Sequence, residues 1–560
     1  MKHNKLYTIL FSAVGLLLCA TSCSDEHMQD LNTDPSKAAT LDPNAQLTTA
    51  QLQTYGDLDL TETFRSYIYA FTQQTMGCWN TTNYGGRHMM SDADMSKVWT
   101  RYYQLAIKNL VDAEVHSADN AEMVNIHAAV QIYKVYMMSL LTDIYGDVPY
   151  FEAGRGFIDN NPMPRYDTQE EIYNDFFTTL TAAAAQIGTG TDAITGDVIF
   201  DGDCARWKHF ANSLRLRFAM RLSKVQPDKA RSEFEAALQD EGGIMTSSAD
   251  DALVKHMEVA FSFGSEAYSD YRGNALSQRM FGNDPVNNPT YLCATLFDEL
   301  YDTGDPRAFM IARFYYDGMM SLTSPEGRID LTDEMIETGW DMKADAREPG
   351  AYAWEPWPRQ YESALTEQYS EVDPTFTNNM SYASEPKVAT NFLLSDNPGV
   401  VMTSAEVKFL LAEAKLNGWA VDGDVTTLFE EGVTAAINFL TDNYDCRQVP
   451  TDEIRTYLDG LHFANVDNNI KRELINTQAW ILHFTNPYEC WANQRRSGYP
   501  QLKSPAEYGF SNYLVDGQEI PVRLCYPRLE SSYNTENYDE ALSRMGGTNS
   551  WNTPVWWDVD

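Results

Sequence analysis

Ten residues carry the chemistry most worth following: Trp79, Asn80, Asn83, Tyr84 and Arg87 around Gly85-Gly86, then Tyr315, Trp340, Trp354, Trp357 and Tyr361. Flat rings beside amide and guanidinium groups suit a sugar, whose apolar face stacks on the ring while its hydroxyls take the polar neighbours. They suit a peptide nearly as well, and any one of the rings can instead anchor a long loop to a scaffold. Aromatic residues make up 12% of the chain, and many fall in these irregular stretches. Two or three rings in contact contribute about 1.5–3 kcal/mol each on burial. Association costs at least about 4 kcal/mol, so the set supports weak binding, roughly millimolar to micromolar.

Signatures of catalysis are missing. The sequence contains no G-x-S-x-G elbow, H-E-x-x-H, phosphate loop or G-x-G-x-x-G. The closest histidines are His116 and His127, too far apart for a helical metal pair. Asp201-Gly202-Asp203 and Asp422-Gly423-Asp424 do not continue into a calcium-loop pattern and read as turns. Paired carboxylates for glycoside hydrolysis need only a spacing of about 5–10 Å, and 80 acidic residues make chance pairs uninformative. No enzyme, cofactor or metal is expected.

The chain begins with Lys2 and Lys5, an apolar run from Leu6 to Leu18, and Ala20-Thr21-Ser22-Cys23. That layout is a signal peptide over residues 1–22 with lipidation at Cys23; the apolar run is short of the roughly 20 residues a membrane span needs. Residues 23–44 are polar, carry Pro35 and Pro43, and read as a lipidated flexible tether. Without residues 1–22 the chain keeps 39 basic against 80 acidic residues, a net charge of about −41, which excludes nucleic acid as a partner. Of the later cysteines none forms C-x-x-C, and disulfide pairing among Cys446, Cys490 and Cys525 stays open.

Holding the rings in place falls to a body, residues 45–560, whose pattern is mainly helical and reads as a single domain. Apolar residues recur at helical spacing through Val124, Ala128, Ile132 and Val135, through Ile172, Phe176, Leu180 and Ala184, and through Trp207, Phe210, Leu214 and Phe218. The pattern returns at Val407, Leu411 and Ala414, then at Leu474, Gln478 and Ile481. Short turns between neighbours predict stacked helix pairs, as in degenerate tetratricopeptide-type repeats. Met245–Pro289 and Phe314–Val401 break the period and predict long irregular insertions on one side.

Several stretches, in order, resemble the SusD/RagB nutrient-binding outer-membrane lipoproteins of Bacteroidetes. They are Cys23-Ser24-Asp25-Glu26 with Leu31–Pro35, Thr142–Tyr150 (TDIYGDVPY), Trp207–Arg221 (WKHFANSLRLRFAMR), Thr403–Val407 leading into Leu411–Ala414, Arg495–Pro500 (RRSGYP), Asn534–Tyr538 and Trp556-Trp557-Asp558. The resemblance implies a mainly α SusD-like fold with four tetratricopeptide-like helix pairs and a loop-rich side. It also implies a non-catalytic, cell-surface lipoprotein that passes a glycan or oligosaccharide to a SusC-like TonB-dependent transporter. A peptide ligand in the same role and an anchored glycoside hydrolase are the alternatives. Ile144–Tyr150 is expected to be a packing turn at a helix end. Ligand contacts carry over by position only, to the loop around Trp79 and the insertion from Tyr315 to Tyr361.

Overall fold

The computed structural model describes residues 41–76, 81–260, 270–280, 290–317, 328–343, 346–348, 350–351, 385–508 and 519–559. Helices dominate: α1 (Pro43–Gly56), α2 (Lys108–Ser117), α3 (Val124–Tyr145), α4 (Gln169–Gln186), α5 (Cys204–Arg221), α6 (Pro227–Leu238), α7 (Ala294–Asp302), α8 (Ser404–Leu416), α9 (Val425–Asn443), α10 (Thr451–Gly460), α11 (Asn468–Leu482), α12 (Pro487–Ser497) and α13 (Thr535–Arg544). Local chemistry sets their starts. Thr168 and Glu171 form a capping box on α4, while Asp203, Asp424 and Asp467 cap the first amides of α5, α9 and α11. Both Asp-Gly-Asp segments therefore act as turns that end in a cap. Helix α1 opens on Pro43, so the last two residues of the expected tether belong to the body.

Neighbours in sequence pack together: α3 on α4, α5 on α6, α8 on α9 and α11 on α12. Helix α3 is buried almost all round and touches α1, α2, α4 and α5, which makes it the axis of the body. Each fully buried Ile132, Val135 or Leu141 on it contributes about 1.5–3 kcal/mol. Within their described residues, the two stretches expected to be irregular hold only short elements. These include β2 (Ala252–Val254), helix Ala275–Met280, β5 (Tyr315–Asp317), β6 (Arg328–Asp330), helix Thr332–Thr338, β7 (Lys387–Val388) and β8 (Gly399–Met402), with β4 (Ala312–Arg313) just before the second stretch. Strands of two to four residues are too short to show a period of two, which is why they escape a reading of the pattern. Strands β1 (Thr75–Met76) and β3 (Tyr291–Leu292) join β7 and β4 in an antiparallel sheet of order β1-β3-β7-β4.

Buried charges tie the helices across the core. Arg217 grips Glu406 with two bonds of 2.6 and 2.7 Å, and His483 Nε2 lies 3.3 Å from the same carboxylate. Arg221 donates to Glu489 at 2.7 Å and faces Asp143, which also accepts from Tyr173 at 2.5 Å and from the Trp557 indole at 2.8 Å. Burial would raise the Glu406 carboxyl, but Arg217 and His483 outweigh it and hold the group at about 2. The TDIYGDVPY stretch is the helix-ending turn expected: Gly146 leaves α3 with φ +89°, and Asp147 accepts from the Gln169 amide and from Arg544. Among the described residues no disulfide joins Cys446, Cys490 and Cys525; Cys446 and Cys490 are free thiols, and Cys525 donates to the Asn549 carbonyl.

Candidate functional site

The four-stranded sheet joins the chain just before residues 77–80, through β1, to strands from the mid-chain region, β3, β4 and β7. Thr81–His88 then folds back as a π-helical turn, Thr82–Gly86. Gly85 and Gly86 are required there by close approach: a Cβ on Gly85 would lie 2.5 Å from Ser66 O, and one on Gly86 would lie 2.6 Å from Gly350 N. Arg87 is buried and its Nε donates to Gly350 O at 2.5 Å, while Thr82 donates to Ala351 O at 3.4 Å. Residues 346–348 are linked in turn to β3, through the Cys293–Arg347 bridge and the Ala294 amide donating to Arg347 O at 2.8 Å. The loop after the first helices and the mid-chain insertion are thus held against each other.

Of the candidates on this frame, Asn83 and Arg87 are buried, and the half-buried Tyr84 stacks on Tyr67 at 5.6 Å and 13°. Tyr315 is buried, donates to Val388 O at 3.3 Å and lies under the Lys387 ammonium at 5.2 Å. Trp340 is half-buried and packs on the core. Trp79, Asn80, Trp354, Trp357, Tyr361 and Cys23 lie outside the described residues. Beside this region His88 is buried and burial pulls its pKa down to about 4, so the imidazole is neutral at pH 7.

A concavity of about 400 Å³ elsewhere on the body was not anticipated from the sequence. Trp99, Tyr103, Gln104, Glu152, Glu530 and Tyr533 are among the residues lining it. Trp99 and Tyr103 sit one helical turn apart and read as core, and nothing in the sequence separated Tyr533 from its exposed polar neighbours. The closely spaced Pro149, Gly154, Gly156, Pro162 and Pro164 were the available signal, since such a run shapes a loop rather than a helix. Among the described residues no group of three or more His, Cys, Asp or Glu is placed to hold a metal, and no helix is long and apolar enough to cross a membrane. What the cleft offers is ring faces, an amide and carboxylates, the means of stacking and hydrogen bonding.

Comparison with known proteins agrees with this architecture. Residues 35–325 match a SusD-like family model described as starch-binding and associating with the outer membrane, and residues 352–558 match one described as SusD and RagB outer membrane lipoprotein. A search of curated proteins finds no match. Among solved structures, a Bacteroidetes AC2a SusD-like protein is 45% identical with a TM-score of 0.86, over 93% of this chain and 100% of that one. A chitin-binding protein is 30% identical with a TM-score of 0.74, again over 93% and 100%. A SusD homolog from Bacteroides uniformis, 23% identical with a TM-score of 0.66 over 92% and 99%, shares the fold. The family's members are binding proteins. Matched along both halves of its length and sharing the fold over 93% of it with a relative 45% identical, the chain belongs to the SusD/RagB family of outer-membrane lipoproteins.

Proposed function

We propose that the protein, acylated on Cys23 after loss of residues 1–22, binds a glycan at the cell surface and hands it to a SusC-like TonB-dependent transporter. The observation that carries the ligand class is the chitin-binding relative, 30% identical across 93% of the chain. The ligand set is Trp79, Asn80, Asn83, Tyr84, Arg87, Tyr315, Trp340, Trp354, Trp357 and Tyr361. Its supporting geometry is the packing of Gly86 and Arg87 on Gly350, which holds the two contributing segments together. The helix pairs, read as degenerate tetratricopeptide-like units, supply a rigid body for the transporter contact. No catalytic step is part of the role.

The test is calorimetry of residues 24–560 against chitin oligosaccharides, starch oligosaccharides and oligopeptides, with a reducing-end assay on the same mixtures. Heat with a glycan, and a loss of about 1–3 kcal/mol on Trp79→Ala or Trp354→Ala with an unchanged circular dichroism spectrum, is the expected result. Heat with peptides alone overturns the glycan reading, and new reducing ends overturn the binder. Labelled palmitate entering the wild type but not Cys23→Ser checks the anchor.

A further inference from the structure

We infer that the cleft between the loop 149–164 and the turn 530–534 is a second glycan subsite; the inference rests on the glycan reading above. It shares no residue with the ligand set proposed above. Its volume, about 400 Å³, lies in the range of small-ligand pockets.

The cleft is organised before any ligand arrives. Trp99 packs edge-on against Tyr103, Tyr145 and Tyr526 at 5.1, 5.2 and 5.6 Å and stacks on Tyr166 at 5.7 Å, so its buried indole is a fixed backing for the Tyr103 ring. The Tyr103 hydroxyl is spent on Pro149 O at 2.6 Å, which leaves its ring as the feature it presents. Glu152 is oriented through one oxygen, which accepts from Asn161 and from the Arg165 amide, both at 2.9 Å. Glu530 is oriented by the Tyr166 hydroxyl at 2.7 Å. Gln104 presents an exposed amide, and Tyr533 is 74% exposed where most of the other described tyrosines are buried. At the edge, Phe157, next to lining residue Gly156, is 92% exposed.

Charge and hydrogen bonding select among ligands. An anion would meet two carboxylates on a chain of net charge −39. A purely apolar molecule would strip water from those carboxylates without replacing it. A neutral polyol answers both demands, because its hydroxyls donate to Glu152 and Glu530 and exchange bonds with Gln104 while its C–H face lies on the Tyr103 and Tyr533 rings. The raised pKa of Glu530, caused by burial, fits a carboxyl already kept from water. A cationic ligand would also be drawn to this cleft, so it is an arm of the test.

The experiment titrates residues 24–560, wild type, Trp79→Ala, and Gln104→Ala/Tyr533→Ala, with the glycan that gives heat in the panel, and with a lysine-rich peptide. Both cleft residues are exposed, so the double variant keeps the fold, as circular dichroism will verify. The expected result is residual glycan binding in Trp79→Ala that the cleft substitutions weaken about tenfold when combined with it. Residual binding indifferent to the cleft substitutions overturns the subsite while leaving the main reading intact. Binding of the peptide that is lost in the double variant also overturns it. Silence of the wild type with every glycan removes both.

Discussion

Replacing Arg496 by Met should destabilise the body by about 3–5 kcal/mol, the usual consequence of leaving one partner of a buried ion pair behind. Arg496 on α12 grips Glu413 on α8 through two bonds of 2.8 and 2.7 Å, and its Nη2 and Nε also donate to Asn476 and Asn493 at 2.9 and 3.1 Å. Both side chains are nearly inaccessible, 3% and 5% exposed, so neither water nor salt can take over the lost charge. Burial alone would raise the Glu413 carboxyl; Arg496 overcomes it and keeps the group below its ordinary value. Without Arg496 the sign reverses: the folded-state pKa rises, and Glu413 takes a proton rather than remain charged. The penalty therefore grows as pH climbs above about 4.5, the ordinary glutamate value, and is smaller in acid. Removing both charges, Glu413→Leu/Arg496→Met, should cost far less than the two single changes together, leaving mainly two amides short of partners at about 1–3 kcal/mol each. Denaturant unfolding of residues 24–560 followed by tryptophan fluorescence measures all of this as midpoints at constant slope. A single substitution costing under about 1 kcal/mol, or strict additivity in the double variant, would refute the claim that this pair is a desolvated, mutually dependent unit.

Asp251 reports the opposite case: burial pushes its carboxyl up to about 6, although the Ser404 amide donates to it at 2.7 Å. Asp251→Asn keeps the acceptor and drops the charge, so it should stabilise the protein by about 1–3 kcal/mol at pH 7, and the gain should vanish below about pH 4, where the aspartate is neutral in both states; no gain at pH 8 in denaturant melts would contradict it. Gly86→Ala drives a Cβ into the Gly350 backbone at 2.6 Å, and should cost about 1–3 kcal/mol and weaken glycan binding together, measurable by melting and calorimetry on one sample. His88, held down to about 4 by burial, contributes stability that is complete above pH 6.5 and drains away as pH falls toward 4, since only the unfolded chain accepts the proton there. His88→Gln should flatten that part of the stability–pH curve, and an unchanged slope between pH 6.5 and 4 would argue against it.

The helices were readable in the sequence because their apolar residues recur at helical spacing, whereas their buried faces were only half readable. Helix α5 shows why. Arg215, Arg217 and Arg221 are all buried on it, at positions where an amphipathic reading puts charge in water. Arg215 faces Asp240 just beyond α6, but the partners of Arg217 and Arg221, Glu406 and Glu489, lie roughly 190 and 270 residues further on, so no local pattern could announce that those charges cancel inside. The same convergence explains why WKHFANSLRLRFAMR, the Thr403–Val407 run, RRSGYP and the final Trp-Trp-Asp appear as separate marks in the chain. In the fold Arg221 and Arg495 both lie over the Trp557 ring, at 5.2 and 4.9 Å, and Trp557 bonds to Asp143. These motifs mark the core and say little about ligand. Aromatic residues pose the reverse difficulty. A ring's large apolar face drives it equally toward a loop-anchoring contact or a sugar, so residue type cannot separate Tyr315, buried under Lys387, from Tyr533, which stands in solvent. Only the neighbours decide. That is why binding has to be tested by substituting exposed rings, while substitution of the buried arginines tests the fold.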